Sequence, residues 1–250
     1  VKPLRRFILA LQFLTLFSVK KNITVEPEEL SRSMAFFPVV GALQGVVVAG
    51  ADYLLRDMLP AGPESALLLV ILFLTNGGLH LDGFMDTVDG LAGGSTPERR
   101  LEIMRTSSVG AIGVVAVVLL ILLKYQCVVS LTADIRSRAL FLFPVAGRWA
   151  IVPMACWARY ARSGAGLGRA FSGNSTGTFV IAAVFAAAMA AYLMGAAGLA
   201  AMALIVPAAY ISTVFFRAKV GGTTGDIMGF QSEIGEVLFL VFIFLVYGRL

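Results

Sequence analysis

The sequence predicts an all-α fold, a polytopic transmembrane bundle of about seven spans plus an N-terminal amphipathic or re-entrant helix. Two observations carry that prediction. Of the 250 residues, 58% are hydrophobic and only 14% charged, whereas soluble domains run nearer half apolar and a quarter charged. The apolar residues also fall in blocks of about 20, the length a helix needs to cross the hydrocarbon of a bilayer. No polar block is large enough to fold apart from them, so residues 1–250 read as a single integral membrane domain. The net charge of +5 is small and dispersed, which speaks against a nucleic-acid partner. Cys127 and Cys156 lie inside apolar segments and read as small buried hydrophobes.

Lys2, Arg5 and Arg6 precede an apolar run from Phe7 to Phe17. That run is too short to span. Ser18-Val19-Lys20-Lys21 is not a small-residue cleavage site, so the segment is expected to stay as an amphipathic helix on the membrane or against the bundle. Spans are predicted over Met34–Leu55, Ser65–Met85, Val109–Leu131, Ala139–Trp157, Thr178–Met194, Leu199–Phe216 and Ile234–Tyr247. A tight Gly195-Ala-Ala-Gly198 turn joins the fifth and sixth. Gly41, Gly45 and Ala49, four apart on the first span, are expected to pack closely on another helix and carry no chemistry.

Tracing this alternating path puts fourteen loop and terminal Lys and Arg residues on the side of the N-terminus. The other side receives four: Arg56, Arg136, Arg138 and Arg249. The positive-inside rule then places the N-terminus and the loops Asp86–Ser108, Arg159–Gly177 and Arg217–Glu233 in the cytoplasm. Those loops hold most of the polar residues, so function is expected on that face.

The most informative stretch is Asn76-Gly-Gly-Leu-His80-Leu-Asp82-Gly-Phe-Met-Asp86-Thr-Val-Asp89-Gly. At about 100° per residue, Asp82, Asp86 and Asp89 share one helical face within roughly 60°. Three carboxylates at a membrane boundary repel one another unless a cation sits among them, and Mg²⁺ bound to a phosphate is the usual partner. A merely solvated acidic helix end is the plainer alternative. His80, the one histidine, would point away from the aspartates on an ideal helix, although Gly77, Gly78 and Gly83 could re-aim it. It serves either as a base or as a structural donor. Arg99, Arg100 and Arg105, on a short amphipathic helix, suit phosphate oxygens, or else only anchor the cytoplasmic side. Gly221-Gly-Thr223-Thr224-Gly-Asp226 could cradle an anion or simply turn the chain. Glu233 and Glu236 follow, and are expected at the cytoplasmic boundary. Arg148 falls mid-span and must contact ligand or pair between helices.

These motifs, taken in order, resemble the cobalamin synthases, also called adenosylcobinamide-GDP ribazoletransferases. The resemblance runs through Phe37-Pro38-x-x-Gly41, Gly77-Gly-x-His-Leu-Asp-Gly-x-x-Asp-x-x-Asp-Gly90, Leu101-Glu-Ile-Met-Arg105 and Val109-Gly110. It continues through Arg148, Arg159-Tyr-Ala-Arg162, Gly166-Leu-Gly168, Gly221-Gly-x-Thr-Gly-Asp226 and Glu233-x-Gly-Glu236. It implies an Mg²⁺-dependent enzyme of the bacterial inner membrane. Such an enzyme transfers the cobinamide-phosphate of adenosylcobinamide-GDP to α-ribazole or its 5′-phosphate and releases GMP. The implied catalytic residues are His80, Asp82, Asp86 and Asp89, with Asp82, Asp86, Asp89 and Asp226 facing the metal. Arg99, Arg100, Arg105, Arg148, Arg162, Thr223, Thr224, Asp226 and Glu233 would contact substrate. A homo-oligomer is compatible with the resemblance. Two departures stand out: Thr106-Ser107-Ser108 provides no acid at position 106, and Thr15-Leu16-Phe17 provides no arginine at position 16.

Three rival readings use the same acids. A CDP-alcohol phosphotransferase would need a longer Asp-Gly…Asp…Asp pattern, and a prenyltransferase a second aspartate-rich stretch; both are missing here. A cation transporter would place its acids near the midplane between repeats, and no repeat is visible.

Overall fold

The computed structural model describes residues 2–17, 26–106, 108–163, 167–173 and 175–247, and its regular structure there is helical apart from one isolated backbone bridge between Tyr160 and Thr223. Ser18, Val19, Lys20, Lys21, Ser107, Gly166 and Arg249 lie outside the described residues.

Helix α1 (Lys2–Leu14) is amphipathic as expected and turns Leu9, Ala10 and Leu14 inward. It is tied to α2 (Pro27–Ser33) by Arg6 and Glu29, 2.9 Å apart. A single 3₁₀ turn (Met34–Phe36) leads into α3 (Phe37–Leu55). Next come α4 (Ala61–Asn76), α5 (Leu79–Gly93), the short α6 (Pro97–Ile103) and α7 (Ala111–Val129). The chain continues through α8 (Arg136–Trp157), α9 (Leu167–Phe171), α10 (Thr176–Val220) and α11 (Gly225–Tyr247).

Among the described residues, five helices are long and apolar enough to cross a membrane, counting α3 together with the turn and helix before it. The pair α4–α5 would be a sixth. Gly195 (φ 55°, ψ −136°) breaks the 45-residue α10 into two lengths of roughly 20 residues each. A Cβ on Gly198 would collide with the Ala190 carbonyl, which a straight helix could not bring near, so the chain folds back at Gly195 into a hairpin. The tight turn expected at Gly195–Gly198 is where this occurs.

α8 is the central helix, packed against α3, α10 and α11, and its residues from Ala139 to Ala155 avoid solvent except at Phe141. Small residues make those contacts possible. A Cβ on Gly41 would sit 2.7 Å from the Pro144 carbonyl oxygen, and one on Gly45 would collide with the Phe141 carbonyl. Large apolar side chains such as Val115, Leu119, Val184 and Ile211 point outward, the arrangement a bilayer favours and water does not.

Two expectations are corrected. Ser65–Met85 is not one continuous helix: Gly77 (φ 63°) and Gly78 (φ 76°) adopt left-handed backbone, and α5 leaves α4 at 91°. α5 runs across the starts of α7 and α11. The last helix begins at Gly225 rather than Ile234, so Glu233 and Glu236 lie inside α11, both buried, and not at the boundary.

Candidate active site

Each predicted polar loop ends on the face where α7 and α11 begin. α5 crosses the first turn of α11 in backbone contact: a Cβ on Gly83 would lie 2.7 Å from the Asp226 carbonyl oxygen, and one on Gly229 3.2 Å from that of His80. The glycines let the helices touch, and the touch brings Asp82 and Asp86 of α5 to Asp226 of α11. Burial, then the charges of Asp82, Asp226 and Asp89, raise the Asp86 pKa to about 6, while Arg162 offsets this only in part. The cluster therefore carries more negative charge than its protein surroundings neutralise.

Asp89 has turned to another task. Its carboxylate accepts from the Gly110 N–H at 2.8 Å and the Gly113 N–H at 2.7 Å, one on each oxygen. It fastens the start of α7, where the helix dipole favours an anion, and the absence of side chains at Gly110 and Gly113 leaves room for it.

Asp226 is held from the other direction. Thr223 pairs with the segment after α8, accepting from the Ala161 N–H at 2.9 Å and donating to the Arg159 carbonyl at 2.8 Å. This bridge carries Arg162 to Asp226, where Nη2 donates to Oδ2 at 2.7 Å. The Thr224 hydroxyl donates to the same oxygen and accepts from the Ile227 N–H, capping α11. Thr223 and Thr224 are themselves fully buried, so the glycine-rich loop shapes the site more than it exposes hydroxyls. A Cβ on Gly222 would collide with the Arg159 carbonyl, which explains that glycine.

His80 is buried beneath the cluster and lines a small cavity of about 160 Å³ together with Asp82 and Asp226. Its Nδ1 has no hydrogen-bond partner among the described residues. The arginines of α6 divide. Arg99 pairs with Glu102 in solvent, Arg100 donates to the Lys219 carbonyl at 2.9 Å and so ties α6 to the end of α10, and Arg105 is exposed.

Behind the cluster lies a set of charges inside the spans. Lys124 of α7 bonds Glu233, and Glu236 at 2.6 Å; Arg148 of α8 bonds Glu236 at 2.7 Å and Ser232 at 3.1 Å. Arg148 thus pairs between helices, and Glu233 faces Lys124. The sequence reading gives Lys124 no role, and expects Glu236 only as an acid at the cytoplasmic boundary. The signal was available: two bases and two acids fall within apolar segments, and buried charges must find partners.

A cation fits the acid cluster, subject to a condition. Among the described residues no three His, Cys, Asp or Glu side chains are close enough to hold a metal by themselves. Mg²⁺ is content with one or two carboxylates if water and phosphate oxygens complete its shell. A pair drawn from Asp82, Asp86 and Asp226, with a bound diphosphate, would meet that need and would relieve the excess charge at Asp86.

Residues 6–244 match the family of cobalamin-5-phosphate synthases. The adenosylcobinamide-GDP ribazoletransferase of Geotalea daltonii is 39% identical over 247 residues, 98% of this chain and 99% of the relative. That of Acetivibrio thermocellus is 35% identical over 98% of this chain and 99% of its own. That of Desulforamulus reducens is 35% identical over 93% and 94% respectively. No solved structure matches the chain.

Proposed function

The chain belongs to the cobalamin-5-phosphate synthase family, and from that membership we propose that its acid cluster transfers cobinamide-phosphate from adenosylcobinamide-GDP to a ribazole acceptor. It is a transferase of cobalamin synthesis with several apolar helices suited to a membrane. Membership decides against the CDP-alcohol phosphotransferase, prenyltransferase and transporter readings. A ribose hydroxyl oxygen of the acceptor bonds to the phosphorus that carries cobinamide. The bond from that phosphorus to the bridging oxygen of the diphosphate breaks, GMP leaves, and the hydroxyl proton is lost.

The observation that carries this reading is the meeting of Asp82 and Asp86 with Asp226 beside Arg162. Mg²⁺, held by carboxylates of this cluster and by the donor's diphosphate, would supply positive charge to the phosphoryl oxygens as negative charge moves to GMP. Arg162 is kept at the cluster by Asp226, and its guanidinium is shaped to donate to a pair of phosphate oxygens in exchange. Asp89 positions rather than reacts, by holding the start of α7 against α5. The corrinoid is cargo. The excess of Lys and Arg on this face supports a cytoplasmic active site in the bacterial inner membrane.

The test is to incubate purified protein with adenosylcobinamide-GDP, α-ribazole 5′-phosphate and Mg²⁺ and follow products by mass spectrometry. GMP and the joined cobamide should appear in equal amounts, and both should vanish when Mg²⁺ is chelated. GMP release that is indifferent to the acceptor would sink the transfer reading.

A further inference from the structure

Between α1, α4, α5, α7 and α11 lies a cavity of about 1080 Å³, large enough for a whole ligand of drug size. Asp82 and Asn76 lie on its wall where it meets the acid cluster. Its sides are apolar, with Leu69 and Phe73 from α4 and Ile121 from α7, and Lys124 and Glu233 line it deeper in the membrane.

The polar groups on that wall are only partly satisfied. Lys124 donates to two carboxylates, leaving its third hydrogen without a partner among the described residues. Glu233 uses one oxygen, and Asn76 uses its carbonyl for the Gly78 N–H while its amide hydrogens have no described partner. A lipid chain would bury those groups against hydrocarbon without a hydrogen-bond partner, which is unfavourable. A diphosphate fits no better, since Asp82 and two glutamates face the space and Arg162 is not on its wall. A solute with apolar faces and a few hydrogen-bonding atoms suits this wall better than either.

We propose that this cavity receives the planar aromatic base of the acceptor nucleoside, with its ribose held at the mouth beside Asp82. The inference rests on the ribazole-transfer reading. The base slides between α4 and α7, its ring nitrogen in reach of the donors on the wall, and the sugar hydroxyl is left at the acid cluster. Donor and acceptor then approach the reacting phosphorus from different sides, the diphosphate from the Arg162 side and the base from within the membrane.

Two residues on the wall, Ala66 of α4 and Val117 of α7, lie outside the acid and charge clusters and can be enlarged to fill the space. In Ala66→Phe and Val117→Phe the acceptor KM should rise about tenfold or more, with the donor KM within about twofold of wild type. Equilibrium dialysis with free benzimidazole, in the absence of donor, gives a second readout: wild type should bind it saturably, and both variants should bind it more weakly. Gel filtration of each variant reports whether it still folds, and either variant alone is sufficient. A rise in donor KM instead would give the cavity to the donor. Undiminished benzimidazole binding in a folded variant, or a co-purifying phospholipid that benzimidazole does not displace, would overturn the proposal. Failure of wild type to transfer at all would sink the reaction and leave the dialysis result to judge the cavity.

Discussion

Asp82 and Asp89 stand on one helix and one face, yet their neighbours divide their work. Asp82 looks into open space beside Asp86 and Asp226, whereas both oxygens of Asp89 are taken by the N–H groups of Gly110 and Gly113. Asparagine keeps the shape of aspartate and removes the charge. Asp82→Asn and Asp86→Asn should fold normally and lose several hundredfold in turnover, a deficit of about 3–4 kcal/mol in transition-state stabilisation, with a raised Mg²⁺ requirement. Asp89→Asn should do the reverse, lowering stability by about 2 kcal/mol while leaving the Mg²⁺ dependence of the remaining activity unchanged. Mg²⁺ titrations of rate beside thermal unfolding in detergent separate the two patterns. The charges at Lys124 make a similar point. Lys124→Met leaves Glu233 without its cation and should cost about 3–5 kcal/mol. Adding Glu233→Gln should recover part of that loss, because Arg148 still balances Glu236. A double variant no more stable than the single would mean that the two side chains are not energetically coupled.

At the scale of elements, glycine decides which helices touch. α3 meets α8 through Gly41 and Gly45, α8 meets α11 through Gly147 and Gly235, and α5 meets α11 through Gly83 and Gly229. The first two contacts build the bundle and the third builds the site. Gly50, on the same helix as Gly45, has open space where its Cβ would be. Gly45→Ala should therefore cost about 1–3 kcal/mol by overpacking, whereas Gly50→Ala should be neutral or gain up to about 1 kcal/mol of helix propensity. Thermal midpoints of the two variants, side by side, check this directly. At the opposite end of the bundle Arg136 of α8 joins Asp52 of α3 at 2.5 Å and Glu64 of α4 at 3.0 Å, and donates to the Val128 carbonyl at the end of α7. One guanidinium fork closes four helix ends there.

For the whole molecule, the sharing of one face by α5, α6, the segment after α8 and the starts of α7 and α11 is a geometric fact; its side of the membrane is an electrostatic proposal. Glu98 is exposed on α6. In a Cys127→Ala, Cys156→Ala background, Glu98→Cys should react with an impermeant maleimide in inverted vesicles and stay unlabelled in intact cells. Labelling in intact cells would reverse the orientation and place the acid cluster outside.

Composition and apolar block length were enough to determine an all-helical membrane bundle, because a backbone in lipid must satisfy its own hydrogen bonds and each span leaves a run of known length. Helical spacing alone likewise put Asp82 and Asp86 on one face, and the mid-span position of Arg148 required that it contact ligand or pair between helices. Tertiary structure decided the rest. A period of 3.6 residues assumes a helix that continues, and Gly77 and Gly78 end one and start another at 91°, so the depth and direction of Asp82 were not legible along the chain. Asp226 is more than a hundred residues from Asp86, and only the contact of Gly83 with its backbone makes them neighbours. The partner of each charge, Asp89 with α7 or Glu233 with Lys124, is likewise set by which helices pack together. Periodicity is a property of one segment, whereas pairing in a low-dielectric interior depends on the distance between two.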